Sequence, residues 1–231
     1  EEHVATPQRP RVVSDAIARV VDTARHAGSH RQLGRFLIAF LVYGFGVQVI
    51  IAFAAIIAGD FGFEDNELVI FVAQITLVAG IAAALTSGFQ DRIGSRATVL
   101  LYLGVWVCAT GGLLLIRLIW PDGGPEWQVW VIGNAIGFAL GGVGTASRAM
   151  VARFTPRHRT AEFFGLWGKV YKLAGAIGVL SFGAVARAFG DAASLVLLLT
   201  FFVAGLILVM RVDETAGVRD ARRAERRELE Q

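Results

Sequence analysis

Six blocks of apolar residues alternate with short polar stretches along the chain, at roughly 36–58, 67–89, 98–119, 127–147, 163–186 and 192–210. Each is close to the about 20 residues a helix needs to cross the hydrocarbon core of a bilayer. A different pattern precedes them. Val13, Ala16, Ile17, Val20, Val21 and Ala24 fall on one side of a helix, Asp15, Arg19, Asp22 and Arg25 on the other, and Gly28 can end it. That segment is too short and polar to span, so it is expected along the membrane surface or beneath the bundle. The pattern predicts an all-α membrane protein. Residues 1–35 form a cytoplasmic linker with an amphipathic helix, 36–210 a six-span transmembrane bundle, and 211–231 a charged cytoplasmic tail.

The fifth block breaks the apolar rule. It holds Lys169 and Lys172, the only lysines in the chain. A lysine deep in a spanning helix costs at least about 2.5 kcal/mol to insert, so it faces a bundle interior or a wet cavity unless it snorkels to the headgroups. Three residues apart, the two lysines share a helix face. Glu162, Gly165, Ala176 and Gly183 extend that stripe, opposite Phe163, Leu166, Val170 and Ile177. Lys172 lies about 15 Å into its span at 1.5 Å per residue, near the middle of a core about 30 Å thick. Apart from Glu67 at the very edge of the second block, no acidic residue lies within the six spans to neutralise it. Its partner is then a substrate carboxylate, a carboxylate from another part of a larger protein, or nothing, with the proton lost.

Other polar residues inside the spans are few. Tyr43 and Gln48 lie in the first, Gln74 in the second and Asn134 in the fourth. They are candidates to line a cavity with the lysines, or to be packing residues with internally satisfied tips. Gly133, Gly137 and Gly141 recur every four residues, a face that lets another backbone approach closely.

Charge then orients the chain. Eighteen of the twenty arginines lie before the first block, between the second and third, between the fourth and fifth, and after the sixth. Only Arg117 and Arg187 belong to the other side, where Asp60, Glu64, Asp65 and Glu67 cluster. The positive-inside rule places both termini in the cytoplasm. The net charge of +3 is explained by those membrane borders, so nucleic acid is not an expected partner. Cys108 is a lone cysteine inside the third block, and the four histidines lie outside the spans without ligand spacing. No metal and no cofactor is expected. Paired carboxylates, a zinc-protease HExxH and a Gly-x-Ser nucleophile setting are missing from the spans, which disfavours an intramembrane enzyme.

The turn between the second and third blocks reads GFQDRIGSR. Six spans with this Asp-Arg-x-Gly-x-Arg turn resemble half of a major facilitator superfamily transporter, built as two inverted three-helix repeats. Asp91, Arg92, Gly94 and Arg96 match its signature, while Ser87 replaces a leading Gly and Ser95 a base. The preceding basic linker resembles the entry to a C-terminal half, and Glu1 in place of Met fits a piece of a longer protein. The stretch GGVGTASRAMVARFTPRHRTAEFFGLW, on to Lys172 and Gly178, is similar to the vacuolar amino-acid effluxer branch, the autophagy-related effluxers and their bacterial relatives. Phe45 stands where that branch carries Asp, Gly144 where it carries Gln and Val179 where Pro is common, so no proton-coupling carboxylate is implied in span one.

The resemblance implies a secondary active transporter in a bacterial inner membrane. It moves a small solute, an amino acid or similar zwitterion, and needs a second six-span half. Lys172, Lys169, Asn134, Gln74, Gln48 and Tyr43 are the expected substrate-binding residues. Asp91, Arg92, Arg96, Arg148 and Glu162 are the expected cytoplasmic gate. The competing expectation is a six-span scaffold or sensor whose partner binds the charged tail.

Overall fold

A computed structural model describes residues 31–120 and 124–229. The amphipathic helix expected within 1–35 lies outside the described residues. Among the described residues every regular element is helical. The helices are α1 (Arg31–Gly59), α2 (Asp65–Ile93), α3 (Ser95–Ile119), α4 (Glu126–Phe154), α5 (Thr160–Phe189), α6 (Asp191–Met210) and α7 (Glu214–Leu229). A 3-10 turn, Arg157–Arg159, precedes α5. The first six are each long and apolar enough to cross a membrane.

Local chemistry sets the helix ends. Glu64 and Glu67 form a reciprocal capping box at the start of α2, with the Glu64 N–H donating to Glu67 Oε2 at 2.9 Å. Asp65 and Glu67 also place negative charge at the positive end of the helix dipole. Gly94 separates α2 from α3 with φ +89°, a left-handed value that side chains resist. Its missing Cβ also leaves room for the Glu214 carboxylate.

The helices pack in a repeated scheme. α2 lies on α4 and α5 on α1; α3 lies on α4 and α6 on α1; α3 also meets α6. Exchanging the first three helices for the second three leaves this scheme unchanged, so the bundle is two related three-helix units. The result is a row α2, α4, α1, α5, backed by α3 and α6.

The contacts obey the same exchange. Gly133, Gly137 and Gly141 of α4 receive Phe71, Ile75 and Ala79 of α2, one for one, in a parallel seam. A side chain at Gly141 would land on the Ala79 carbonyl oxygen. At the matching seam, Gly44 of α1 touches Ala174 of α5, and Gly178 of α5 lies against the Phe45 backbone. Toward the back, Gly142 of α4 takes the Tyr102 ring of α3, as Gly46 of α1 takes the Phe202 ring of α6. Trp106 and Phe202 stack at 4.5 Å and join α3 to α6 in the buried centre.

Burial is uneven. In α1, 61% of the most apolar stretch is buried; in α2 and α5 the figure is 17%. These two helices end the row, and each leaves one long face uncovered.

Candidate functional site

The uncovered face of α5 carries both lysines. Lys172 sits near the middle of the 30-residue helix, and Lys169 is one turn before it. Both are exposed, with Gly165 and Ala176, while Phe163, Val170, Ala174 and Gly178 on the other side are buried. Among the described residues neither ammonium has an ion-pair partner. The stripe read from the sequence is an open face from Glu162 to Ala176, while Gly183 is half-buried and lines a cavity at the far end of the helix.

Aromatic rings flank it. Phe40 of α1 meets Trp167 at 5.4 Å and Tyr171 at 6.3 Å, and Trp167 and Tyr171 stack at 6.0 Å. The Arg148 guanidinium of α4 lies 5.8 Å from the Trp167 ring. Gln48 of α1 donates its Nε2 to the Tyr171 carbonyl at 3.2 Å, next in sequence to Lys172. The two lysines thus lie on an exposed face of α5, while Trp167, Tyr171 and the Gln48 amide join that helix to α1.

The other span residues fall elsewhere. Gln74 of α2 donates Nε2 to Asn134 Oδ1 of α4 at 2.9 Å, and Asn134 donates Nδ2 to the Trp130 carbonyl. This half-buried pair lies at the α2–α4 seam, as Gln48 and the Tyr171 carbonyl lie at the α1–α5 seam. The two polar links thus lie at equivalent seams but at different positions along them. Tyr43 lines no open face. It is fully buried, its hydroxyl 2.8 Å from Ser147 Oγ, and it ties α1 to α4 in the centre. Ser147 in turn donates to the Val143 carbonyl. The sequence marked Ser147 only as part of a motif; the partner of a buried tyrosine is a tertiary fact.

At the end of the bundle that carries the arginine-rich connections (the basic end), the expected gate residues separate into two groups. Asp91 pairs with Arg153, Oδ1 to Nη2 at 2.8 Å. Arg153 Nη1 also donates to Glu214 Oε1 at 3.0 Å. The Glu214 carboxylate further accepts the backbone N–H of Ser95 at 3.1 Å and of Arg96 at 2.9 Å. These N–H groups open α3, so Glu214 caps it from a distant part of the chain. Arg96 itself donates Nη2 to the Met210 carbonyl at 2.7 Å, at the end of α6. Asp91 and Arg96 are thus joined through Arg153 and Glu214, which the sequence did not single out. Arg92 makes no ion pair among the described residues and is exposed. Glu162 pairs with Arg159 at 2.7 Å within its own helix start, and Arg148 rests on Trp167.

The opposite end holds one compact charge cluster. Arg117 of α3 pairs with Asp191 of α6 at 2.6 Å and donates to the Asp60 backbone carbonyl at 3.4 Å. With Phe53, Phe61 and Phe182 these residues surround a cavity of about 210 Å³. Burial first, and the nearby Asp191 charge second, hold the Asp60 carboxyl above its ordinary value, against the pull of Arg117.

The family model described as "Vacuole effluxer Atg22 like" matches residues 2–222. The uncharacterized MFS-type transporter YxiO of Bacillus subtilis is 26% identical over 214 residues, covering 90% of this chain and 47% of that protein. Autophagy-related protein 22 of Yarrowia lipolytica is 23% identical over 207 residues, covering 86% of this chain and 34% of that protein. The chain spans less than half the length of either relative.

Proposed function

Because this chain belongs to the vacuole effluxer Atg22-like family, we propose that it forms one six-helix half of a secondary active transporter of the major facilitator type. The cargo is a small zwitterion of amino-acid type, moved by alternating access between this half and a second one. The observation that carries this reading is the lysine stripe. Lys172 is charged-capable, mid-helix, unpartnered among the described residues, and set on a helix that the bundle leaves largely uncovered. In a membrane such a group needs an anion or a wet cavity. A second half laid along the row α2, α4, α1, α5 supplies the cavity, and a substrate carboxylate supplies the anion.

Lys172 is the principal carboxylate ligand in this reading, with Lys169 one turn along. Gln48 is placed to release its amide to the substrate. Gln74 and Asn134 sit at the other seam, where they contact a substrate only in a cavity that reaches α2. Tyr43 holds α1 to α4 and contacts no substrate. The basic end faces the cytoplasm in this reading, by the arginine distribution. Asp91, Arg153 and Glu214 brace that end when it is closed.

The test uses the full-length protein in proteoliposomes. Wild-type protein transports a labelled amino acid and Lys172→Met does not, while both reach the membrane in equal amount. Full transport by Lys172→Met, or no solute moved by the wild type across a panel of amino acids, would sink this reading and favour a scaffold. Orientation is tested separately. Cysteine replaces Asp65 or Arg92 in a Cys108→Ser background, and intact cells are treated with an impermeant maleimide. Asp65→Cys reacts and Arg92→Cys does not. Ser95 is unsuitable for this purpose because it is buried beside Glu214.

A further inference from the structure

Helix α7 carries a charge pattern that the transport reading does not use. Three of its acids turn toward the bundle. Glu214 holds Arg153 and the start of α3; Glu225 Oε1 accepts the Arg157 N–H at 2.9 Å; Glu228 Oε2 meets His158 Nδ1 at 2.6 Å. Between these anchors Ala221 is buried and Gly217 lies against the Phe154 ring. Asp213 caps the helix by accepting the Ala216 N–H and the Thr215 hydroxyl, which holds its carboxyl below the ordinary range. The helix is therefore fastened across the base of the bundle along its whole length, from the α2–α3 turn to the 3-10 turn before α5.

Of the other charged residues of the helix, five are arginines and one, Asp220, is acidic. Arg219, Arg222 and Arg226, with Thr215, recur at three and four residues and share one flank of the helix. With Val218 and Arg223 they line a cleft of about 390 Å³. None of the four arginines forms a hydrogen bond or ion pair with another described residue; Arg219 acts on Asp213 only at longer range. Like charges at this spacing repel one another, and the repulsion is relieved by a bound anion. Glu214, Glu225 and Glu228, which could have relieved it, are engaged by the bundle instead.

We propose that this arginine flank is a binding site for the phosphate groups of anionic phospholipids in the leaflet at the basic end. The position supports a lipid as the source. Only three residues separate α7 from the end of α6, and the anchors keep the helix at the base of the spanning bundle, where headgroups lie. Guanidinium forks match phosphate oxygens in pairs, which lysine does not. This inference rests on the six helices spanning a membrane and not on transport.

The test is native mass spectrometry of the full-length protein, titrated with phosphatidylglycerol or phosphatidylcholine. Wild type retains phosphatidylglycerol selectively. The triple change Arg219→Gln, Arg222→Gln, Arg226→Gln weakens that binding about a hundredfold, about fivefold for each arginine, and leaves phosphatidylcholine binding unchanged. The single change Arg222→Gln gives the fivefold loss by itself and serves if the triple variant does not fold. Unchanged phosphatidylglycerol affinity in the variants overturns the proposal. So does displacement of the lipid by millimolar inorganic phosphate, which marks a free-phosphate site. Equal affinity for a polyglutamate peptide in phosphatidylcholine nanodiscs overturns it in favour of an acidic protein partner.

Discussion

Helices α2 and α5 occupy matching places in the two three-helix units, yet they offer opposite surfaces. Each packs one face on a central helix through small residues and leaves the rest open, with the same 17% of its apolar stretch buried. On α2 the open face is Val69, Ile70, Leu77, Ile81 and Leu85. On α5 it is Gly165, Lys169, Lys172 and Ala176, with Leu180 beyond. An aliphatic face is content against lipid tails or another apolar helix. A face with two ammonium groups is not. The shared scaffold thus fixes where an uncovered helix lies, and side-chain chemistry decides what the uncovered face is for.

The largest effect expected lies in the seams that both helices share. Gly141→Leu drives a side chain into the Ala79 backbone of α2 and costs about 3 kcal/mol. The protein then fails to accumulate in the membrane, as immunoblots of membrane fractions will show. Gly165→Leu on the open face of α5, where a Cβ meets nothing, leaves the amount unchanged. Equal loss in both variants would mean that the open face of α5 is packed in the complete protein.

Next comes the contrast between the open faces themselves. Lys172→Met lowers transport by at least tenfold at normal protein level. Lys172→Arg restores part of it, because a planar fork replaces a point charge. Leu77→Met on α2 keeps full transport. A tenfold loss from Leu77→Met would end the distinction between the two helices.

The basic ends of the two helices differ too. That of α2 is held through Asp91, Arg153 and Glu214, whereas α5 begins with the local, exposed pair Arg159 and Glu162. Glu214→Gln removes the charge that joins Arg153 to two backbone N–H groups and costs about 1–2 kcal/mol. Glu162→Gln costs no more than about 0.5 kcal/mol. Thermal unfolding in detergent ranks the two.

The smallest effect is a pH dependence at the opposite end, beside the last turns of α5. The Asp60 carboxyl is raised in the folded protein. Between its ordinary value, about 3.9, and its raised one, the folded state binds more protons than the unfolded state. Stability therefore falls as pH rises through that window and then levels off. Asp60→Asn removes this part of the slope and is slightly stabilising at neutral pH. A steeper slope in Asp60→Asn, measured by melting from pH 4 to 7, would reverse the sign.

Much of this molecule was legible in the chain because a bilayer allows few solutions. Backbone groups in hydrocarbon must be satisfied within the segment, so six apolar blocks become six helices. The four-residue recurrence of Gly133, Gly137 and Gly141 announced a close seam, and helical period alone put Lys169 and Lys172 on one face opposite Phe163 and Val170. What periodicity cannot give is the neighbour. That α2 fills the glycine seam, that Tyr43 turns inward to Ser147 instead of lining an open face, and that Gln74 and Asn134 satisfy each other were decided by packing. So was the choice of Arg153 and Glu214 to hold Asp91, while Arg148 settles on Trp167 and Glu162 on Arg159. Those pairings join residues up to 104 positions apart. A charge read along the chain has many oppositely charged candidates within reach of a fold, and only the three-dimensional packing brings one of them within hydrogen-bond distance.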